Sequence, residues 1–248
     1  MRRLLVPAIF TLVVCAILVG LGVWQMQRLA WKENLIAEVT TRMVAAPVAA
    51  PGPIAWPGID WGSVEYQPVT ISGHYLNDHE AHVIYSLTSP KGPVGGVGYM
   101  VVTPFVTDSS WVVYVNRGFV PTEKADPATR AEGEIAGETM VTGVLRLPAD
   151  RSWFMPGDNP AKNEWFSRDP ALFAAAAGMP PAIVAPYIID ARYDPNLPGG
   201  LPQGGETIVD FPNNHFGYAL TWFGLAGCAA GVFIAWAAGA LRRPKAAA

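Results

Sequence analysis

The sequence predicts a mixed α+β membrane protein: two antiparallel transmembrane helices flanking a periplasmic antiparallel β-sheet or partial barrel domain with a short helix. Three observations predict it. Leu4 to Val23 and Phe216 to Leu241 carry no formal charge, and each run reaches the ~20 residues that cross a ~30 Å hydrocarbon core. Hydrophobic residues fill 51% of the 248 positions and mean hydropathy is +0.24, which fits a membrane class. Between the runs lie segments rich in Val, Ile, Tyr and Thr, separated by turns short enough for antiparallel pairing.

Charge orients the chain. Arg2 and Arg3 precede the first run, and Arg242, Arg243 and Lys245 follow the second, so the positive-inside rule makes both ends cytoplasmic. All 20 acidic residues and all but those five of the 17 basic ones lie between Trp24 and His215. That excess describes an acidic periplasmic domain and excludes a basic nucleic-acid surface. The divisions are residues 1–3 and 242–248 in the cytoplasm, 4–23 and 216–241 as spans, and 24–215 as the domain. The first apolar core leads straight into Trp24 and Arg28 with no small-x-small site, as an uncleaved anchor does and a signal peptide does not. Met1-Arg-Arg enters the membrane at once, with no Ser/Arg-rich transit peptide, which points to a bacterial inner membrane. Cys15 and Cys228 both fall in the spans, so neither a disulfide nor copper delivery through cysteine is expected in the domain.

Taken in order, the first helix continues past the bilayer to about Met43, with Trp24, Arg28 and Trp31 on one face. Pro47 to Gly58, with Pro at 47, 51, 53 and 57, reads as an irregular connection. Strands are expected over 66–75, 81–87, 98–106, 111–120 and 139–147. Pro121 to Gly137 is polar and reads as a surface loop. Asp169, Pro170 and Gly178 place a cap, a first-turn proline and a stop around a short helix. A strand over 184–190, a Pro/Gly loop and a short last strand over 206–211 complete the domain. In the second span Asn213 or Asn214 can cap the free amides and Pro212 blocks extension backwards. His215, Tyr218 and Trp222 share one face, while Gly217, Thr221, Gly224, Cys228 and Gly231 share another that suits close helix contact.

Antiparallel spans bring Trp24, Gln25 and Arg28 level with Asn214, His215 and Tyr218. Imidazole, indole and guanidinium at that boundary suit an amphiphilic macrocycle, in which a haem iron takes an axial histidine and Arg28 pairs with a propionate. The residue types taken alone favour the other reading, an interfacial aromatic belt with a capped polar residue. His74, His79 and His82 surround a turn at Asn77-Asp78, where alternating strand positions do not converge them on a metal. Arg117 ends an apolar strand, either as a salt-bridge partner in the acidic domain or facing the membrane site. Trp165 reads as a core anchor, Asp169 as a helix cap and Asp190 as a strand end. Gly-x-Ser-x-Gly, phosphate-loop and HExxH motifs are absent, so no local motif marks an enzyme. A dispersed site would show as a deep polar pocket with convergent titratable groups.

Gly22-Val-Trp-Gln-Met-Gln-Arg-Leu-Ala-Trp-Lys-Glu-Asn-Leu-Ile36, Val115-Asn-Arg-Gly-Phe-Val-Pro121, Gly143-Val-Leu-Arg146 and Asn214-His-Phe-Gly-Tyr-Ala-Leu-Thr-Trp-Phe223 together resemble the Surfeit locus protein 1 family. Their order and spacing cover nearly the whole chain. The resemblance implies a non-enzymatic assembly factor for haem-copper cytochrome c oxidase, holding haem a for insertion into subunit I. It implies His215 as the axial ligand of the haem iron and Trp24, Gln25, Arg28, Tyr218 and Trp222 as its neighbours. The partners implied are subunit I, haem a synthase and the lipid bilayer. The alternative is a cofactor-free scaffold or accessory subunit of the oxidase, with the Gly217/Thr221/Gly224/Cys228 face as its contact surface.

Overall fold

The computed structural model of the chain describes residues 2–207 and 213–242. In order, its elements are α1 (Arg2–Met43), β1 (Val48–Ala49), α2 (Trp61–Val64), β2 (Pro68–Tyr75), β3 (Ala81–Leu87), β4 (Gly96–Thr107), β5 (Val112–Pro121), β6 (Thr139–Arg146), β7 (Glu164–Trp165), α3 (Pro170–Ala176), β8 (Val184–Ala191) and α4 (His215–Arg242). They form two compact units, Met1–Val39 with Val209–Ala248, and Thr40–Ile208.

Two helices are long and apolar enough to cross a membrane. α1 has 42 residues and α4 has 28, or about 63 and 42 Å at ~1.5 Å per residue. Leu5, Val6, Phe10 and Leu12 on α1 and Leu220, Val232 and Ile234 on α4 are exposed. A helix that turns large apolar side chains outward around much of its circumference needs an apolar solvent. The chain is therefore built as a membrane protein. Pro7 sits within α1, near its beginning, where its carbonyl accepts the Thr11 hydroxyl at 2.9 Å.

The second unit is a barrel with a side wing. Its strands run β1-β2-β6-β8-β5-β4-β3-β7, and a further β2–β4 pairing closes β2, β6, β8, β5 and β4 on themselves. Closure occurs at Gly73↔Thr107, His74↔Val106 and Tyr75↔Phe105. Gly73 has φ +150°, and a Cβ there would stand 2.0 Å from the Val106 carbonyl oxygen, so the seam needs glycine. The expected antiparallel sheet is mixed in detail. β5 pairs β8 in parallel, as β1 does β2 and β3 does β7. β8 enters between β5 and β6 after a connection long enough to carry α3, and such a return permits parallel pairing where a tight turn does not.

Strand alternation sorts the core. Val113 and Val115 of β5 and Ala185, Tyr187 and Ile189 of β8 join Val69, Ile71, Phe105, Val141 and Leu145. All five closed strands contribute to this cluster, which fills the barrel. Val112 and Tyr114, with Val184 and Ile188, face outward onto β3, Trp165 and Phe173. The expected short helix is α3, with Asp169 Oδ1 accepting from the Ala171 amide at 2.9 Å. Phe173 meets the Trp165 ring edge-on at 4.9 Å, which makes Trp165 the core anchor its size predicts. The proline-rich connection is also used: the Pro51 carbonyl accepts from Tyr187 Oη at 2.7 Å and Trp56 Nε1 at 2.8 Å. Of the expected last strand, Glu206 and Thr207 are not in a strand and 208–211 lie outside the described residues.

Candidate cofactor site at the helix pair

Among the described residues, three close approaches join α1 to α4. The Cys15 thiol donates to the Ala226 carbonyl at 3.6 Å. A Cβ on Gly22 would stand 2.5 Å from Phe223 Cε1, so the ring occupies the space that a side chain there would take. Gln25 Oε1 lies 2.7 Å from His215 Nδ1. Positions rise along α1 as their partners fall along α4, so the two helices are antiparallel. The contact face of α4 carries His215, Ala219, Trp222 and Ala226, at the i, i+4, i+7, i+11 spacing of one helical stripe; Ala219 and Ala226 are buried.

That finding corrects one expectation. Gly217, Thr221, Gly224, Cys228 and Gly231 are exposed, and a methyl added at Gly217, Gly224 or Gly231 would meet nothing within 4 Å. The Thr221 hydroxyl returns to its own helix at the Gly217 carbonyl, 3.0 Å away. The close approach comes instead from a glycine on the other helix, Gly22, receiving the large ring of Phe223. The glycines of α4 are then not needed for it.

His215 opens α4, and the Asn214 carbonyl accepts the first helical bond, from the Tyr218 amide at 3.2 Å. Asn213 Oδ1 is buried and meets no hydrogen-bond donor among the described residues. Pro212 lies outside them. His215, Gln25 and Trp222 are half-buried, whereas Trp24 is 51% and Tyr218 57% exposed. The Arg28 guanidinium stacks 4.4 Å above the Trp31 ring. Of the residues expected around His215, the structure joins Gln25 to it directly. Among the described residues no hydrogen bond or ring contact ties Trp24, Arg28, Tyr218 or Trp222 to the imidazole.

The SURF1 family model matches residues 12–227, a stretch that contains both sides of this contact. The chain belongs to that family. It is 37% identical to Surfeit locus protein 1 of Mus musculus over 231 residues, covering 89% of this chain and 72% of the relative. With Surfeit locus protein 1 of Homo sapiens it shares 39% over 220 residues, 84% of this chain and 69% of the relative. A SURF1-like protein of Drosophila melanogaster is 37% identical over 229 residues, 88% and 73% of the two chains. The quoted motifs on α1 and α4 fall within the family match, and the structure puts Gln25 of the first beside His215 of the second.

The barrel of this family member holds polar clusters, of which sequence reading anticipated the Arg117 salt bridge and missed the rest. Arg117 pairs with Glu134 at 2.9 Å, donates to Asn77 Oδ1 at 3.2 Å and to the Gly133 carbonyl, and lies 4.7 Å over the Tyr75 ring. Its role is within the domain. Arg130 bonds both Glu134 and Glu80, and Glu80 also meets His82 Nε2 at 2.7 Å. Residues 121–137 are thus not simply a surface loop, since Arg130 and Gly133 are buried in it. His74 faces a different carboxylate, Glu138, at 3.3 Å.

A second cluster surrounds Asp190. Its carboxylate accepts from Asn116 at 2.9 Å and Thr207 at 3.0 Å, with Arg146 at 3.4 Å. These groups line a cavity of about 250 Å³ with Tyr85, Arg168 and Glu206. Burial pushes the Tyr85 phenol up. Glu206 is committed to the amides of Lys91 and Gly92, at 2.9 to 3.1 Å. Asp190 and Arg146 pair with each other and Glu206 is held by backbone amides, as in a structural network.

Proposed function

We propose that this SURF1 family member is an assembly factor for a haem-copper cytochrome c oxidase in a bacterial inner membrane. It binds haem a at the periplasmic end of its helix pair and passes it to subunit I. One observation carries the reading: the first residue of α4 is a histidine whose Nδ1 lies 2.7 Å from Gln25 Oε1 of α1, leaving the lone pair of the second ring nitrogen for a metal. The residues fit the group. His215 would supply the axial nitrogen, Arg28 a guanidinium for a propionate, and Trp24, Tyr218 and Trp222 ring faces. A bound haem would contribute an iron centre whose reactivity is set by that axial ligand and its surroundings.

The half-open setting of these side chains supports release as well as capture. Trp24 and Tyr218 keep about half their surface uncovered, so a ligand between them is held from one side and stays accessible to a receiving protein. Subunit I is the receiver and haem a synthase the donor; the bilayer orients all three. The reading requires no bond-making step by the protein. Its test is co-expression with the haem a biosynthetic enzymes and a visible spectrum after purification. Wild type is expected to carry a haem a spectrum that His215→Ala loses; a colourless wild type, or a spectrum indifferent to the substitution, overturns it.

A second reading, a cofactor-free scaffold or accessory subunit, is favoured by the open Gly217/Thr221/Gly224/Cys228 face. It predicts co-purification with oxidase subunits at fixed stoichiometry, unchanged in His215→Ala.

A further inference from the structure

We infer that Gln25 is a positioning residue that locks His215 as the Nδ1–H tautomer and so dedicates Nε2 to ligation, an assignment that rests on the haem reading above. Gln25 Oε1 is an amide carbonyl oxygen and can only accept. At 2.7 Å the group facing it must donate, so the proton sits on Nδ1. A neutral imidazole carrying that proton has its one lone pair on Nε2. Ligating histidines commonly donate their other ring N–H to a carboxylate or carbonyl, which fixes ring orientation and raises ligand basicity. Here the acceptor comes from the other helix, so the tautomer is a property of the helix pair.

The neighbouring contact sets that geometry. Gly22 lies three residues before Gln25 on α1, and Phe223 lies two turns after His215 on α4. The ring seated at Gly22 fixes the separation and register at which Gln25 reaches the imidazole. An amide suits the place better than a carboxylate. An ionised side chain beside an apolar span carries a desolvation cost, and a neutral acceptor leaves the imidazole a moderate donor, as a protein that must surrender its ligand requires.

The test uses the full chain in nanodiscs, without haem and labelled with ¹⁵N-histidine, the His215 signals being assigned by their loss in His215→Ala. Wild type is expected to show a pyrrole-like Nδ1 and a pyridine-like Nε2. Gln25→Glu, which keeps an acceptor, retains that pattern, and Gln25→Leu relaxes to the mixture of free imidazole. An Nε2–H tautomer in wild type, or a pattern unchanged in Gln25→Leu, overturns the inference. A hemin titration followed in the Soret band supplies the second arm, where Gln25→Leu is expected to weaken binding by ~10–100-fold. Hemin binding that ignores His215→Ala sinks the haem reading while the tautomer result stands. Binding that needs His215 but ignores Gln25→Leu sinks the positioning role and leaves the haem reading intact. Should Gln25→Leu fail to insert, the wild-type spectrum and Gln25→Glu decide the matter.

Discussion

Replacing Arg130 by methionine tests whether the buried ion cluster holds the barrel domain together. The guanidinium is almost wholly enclosed and bonds Glu80, Glu134 and the Lys124 carbonyl, the last at 3.1 Å. Once it is gone, Glu134 keeps Arg117 at 2.9 Å. Among the described residues Glu80 keeps only the His82 ring as a side-chain partner, and its second oxygen, Oε2, is already buried without a hydrogen bond. The substitution therefore leaves close to one uncompensated buried carboxylate, a loss of about 3–5 kcal/mol. For a unit spanning Thr40–Ile208, each kcal/mol moves the melting temperature by about 2–4 °C. A fall of roughly 6–20 °C is expected, read by tryptophan fluorescence during heating of the full chain in detergent at one scan rate. Adding Glu80→Gln to Arg130→Met should restore much of the loss, because the orphaned charge disappears with it. Glu138→Gln is the control: its pairing with His74 is open to solvent and should cost under about 1 kcal/mol. A drop of less than about 2 °C in Arg130→Met, or no rescue by Glu80→Gln, would refute the assignment.

Two further outcomes follow from the barrel. Gly118 in β5 has φ +129°, and a Cβ there would stand 2.0 Å from the Gln203 carbonyl oxygen; Gly118→Ala should therefore destabilise the domain by at least ~2 kcal/mol, measured as a lower urea midpoint. Burial pushes the Tyr75 phenol up from 10.0 to about 12, against the opposing pull of Arg117, and burial raises those of Tyr114 and Tyr187 as well. A phenol raised in the folded state adds stability that is whole below pH ~10 and is lost as pH climbs through the folded value. Ultraviolet titration should then show these tyrosines ionising late, together with unfolding between pH 10 and about 12; ionisation of all eight near pH 10 in a still-folded domain would contradict it.

Much of the fold was legible because it repeats locally. Alternation located β2, β3, β4, β5, β6 and β8, and an Asp-Pro pair before a helical run located α3. What alternation does not encode is which strand comes to lie beside which. The parallel register of β5 with β8, Tyr114↔Ile188 and Val115↔Ile189, depends on where a long, mostly irregular segment leads the chain. The ion cluster was invisible for a related reason. Glu80 and Arg130 stand 50 positions apart, each in a polar stretch beside a turn, and as sequence each looks solvated. Only barrel closure and the docking of 127–133 enclose them, so the residues most costly to remove gave no local signal.

At the helix pair the failure was narrower, and it bears on function. Helical period divided α4 into an aromatic and histidine stripe and a glycine stripe, and small residues argued that the second was the contact. Period gives the angle between faces but not which one a neighbour takes; that depends on the shape of the neighbour. α1 offers Gly22 as the hollow, so the protrusion had to come from α4, and Phe223 supplies it. The choice puts His215 on the inner side, within reach of Gln25, and leaves the glycines facing out. Had the glycine stripe formed the contact, His215 would have turned away from α1 and its tautomer would be left to solvent or lipid. The same packing decision therefore sets the His215 ring 2.7 Å from Gln25 Oε1 and leaves an open surface on the opposite side of α4. The two proposed readings thus rest on different faces of one helix, and substitutions on one face test one reading without disturbing the other.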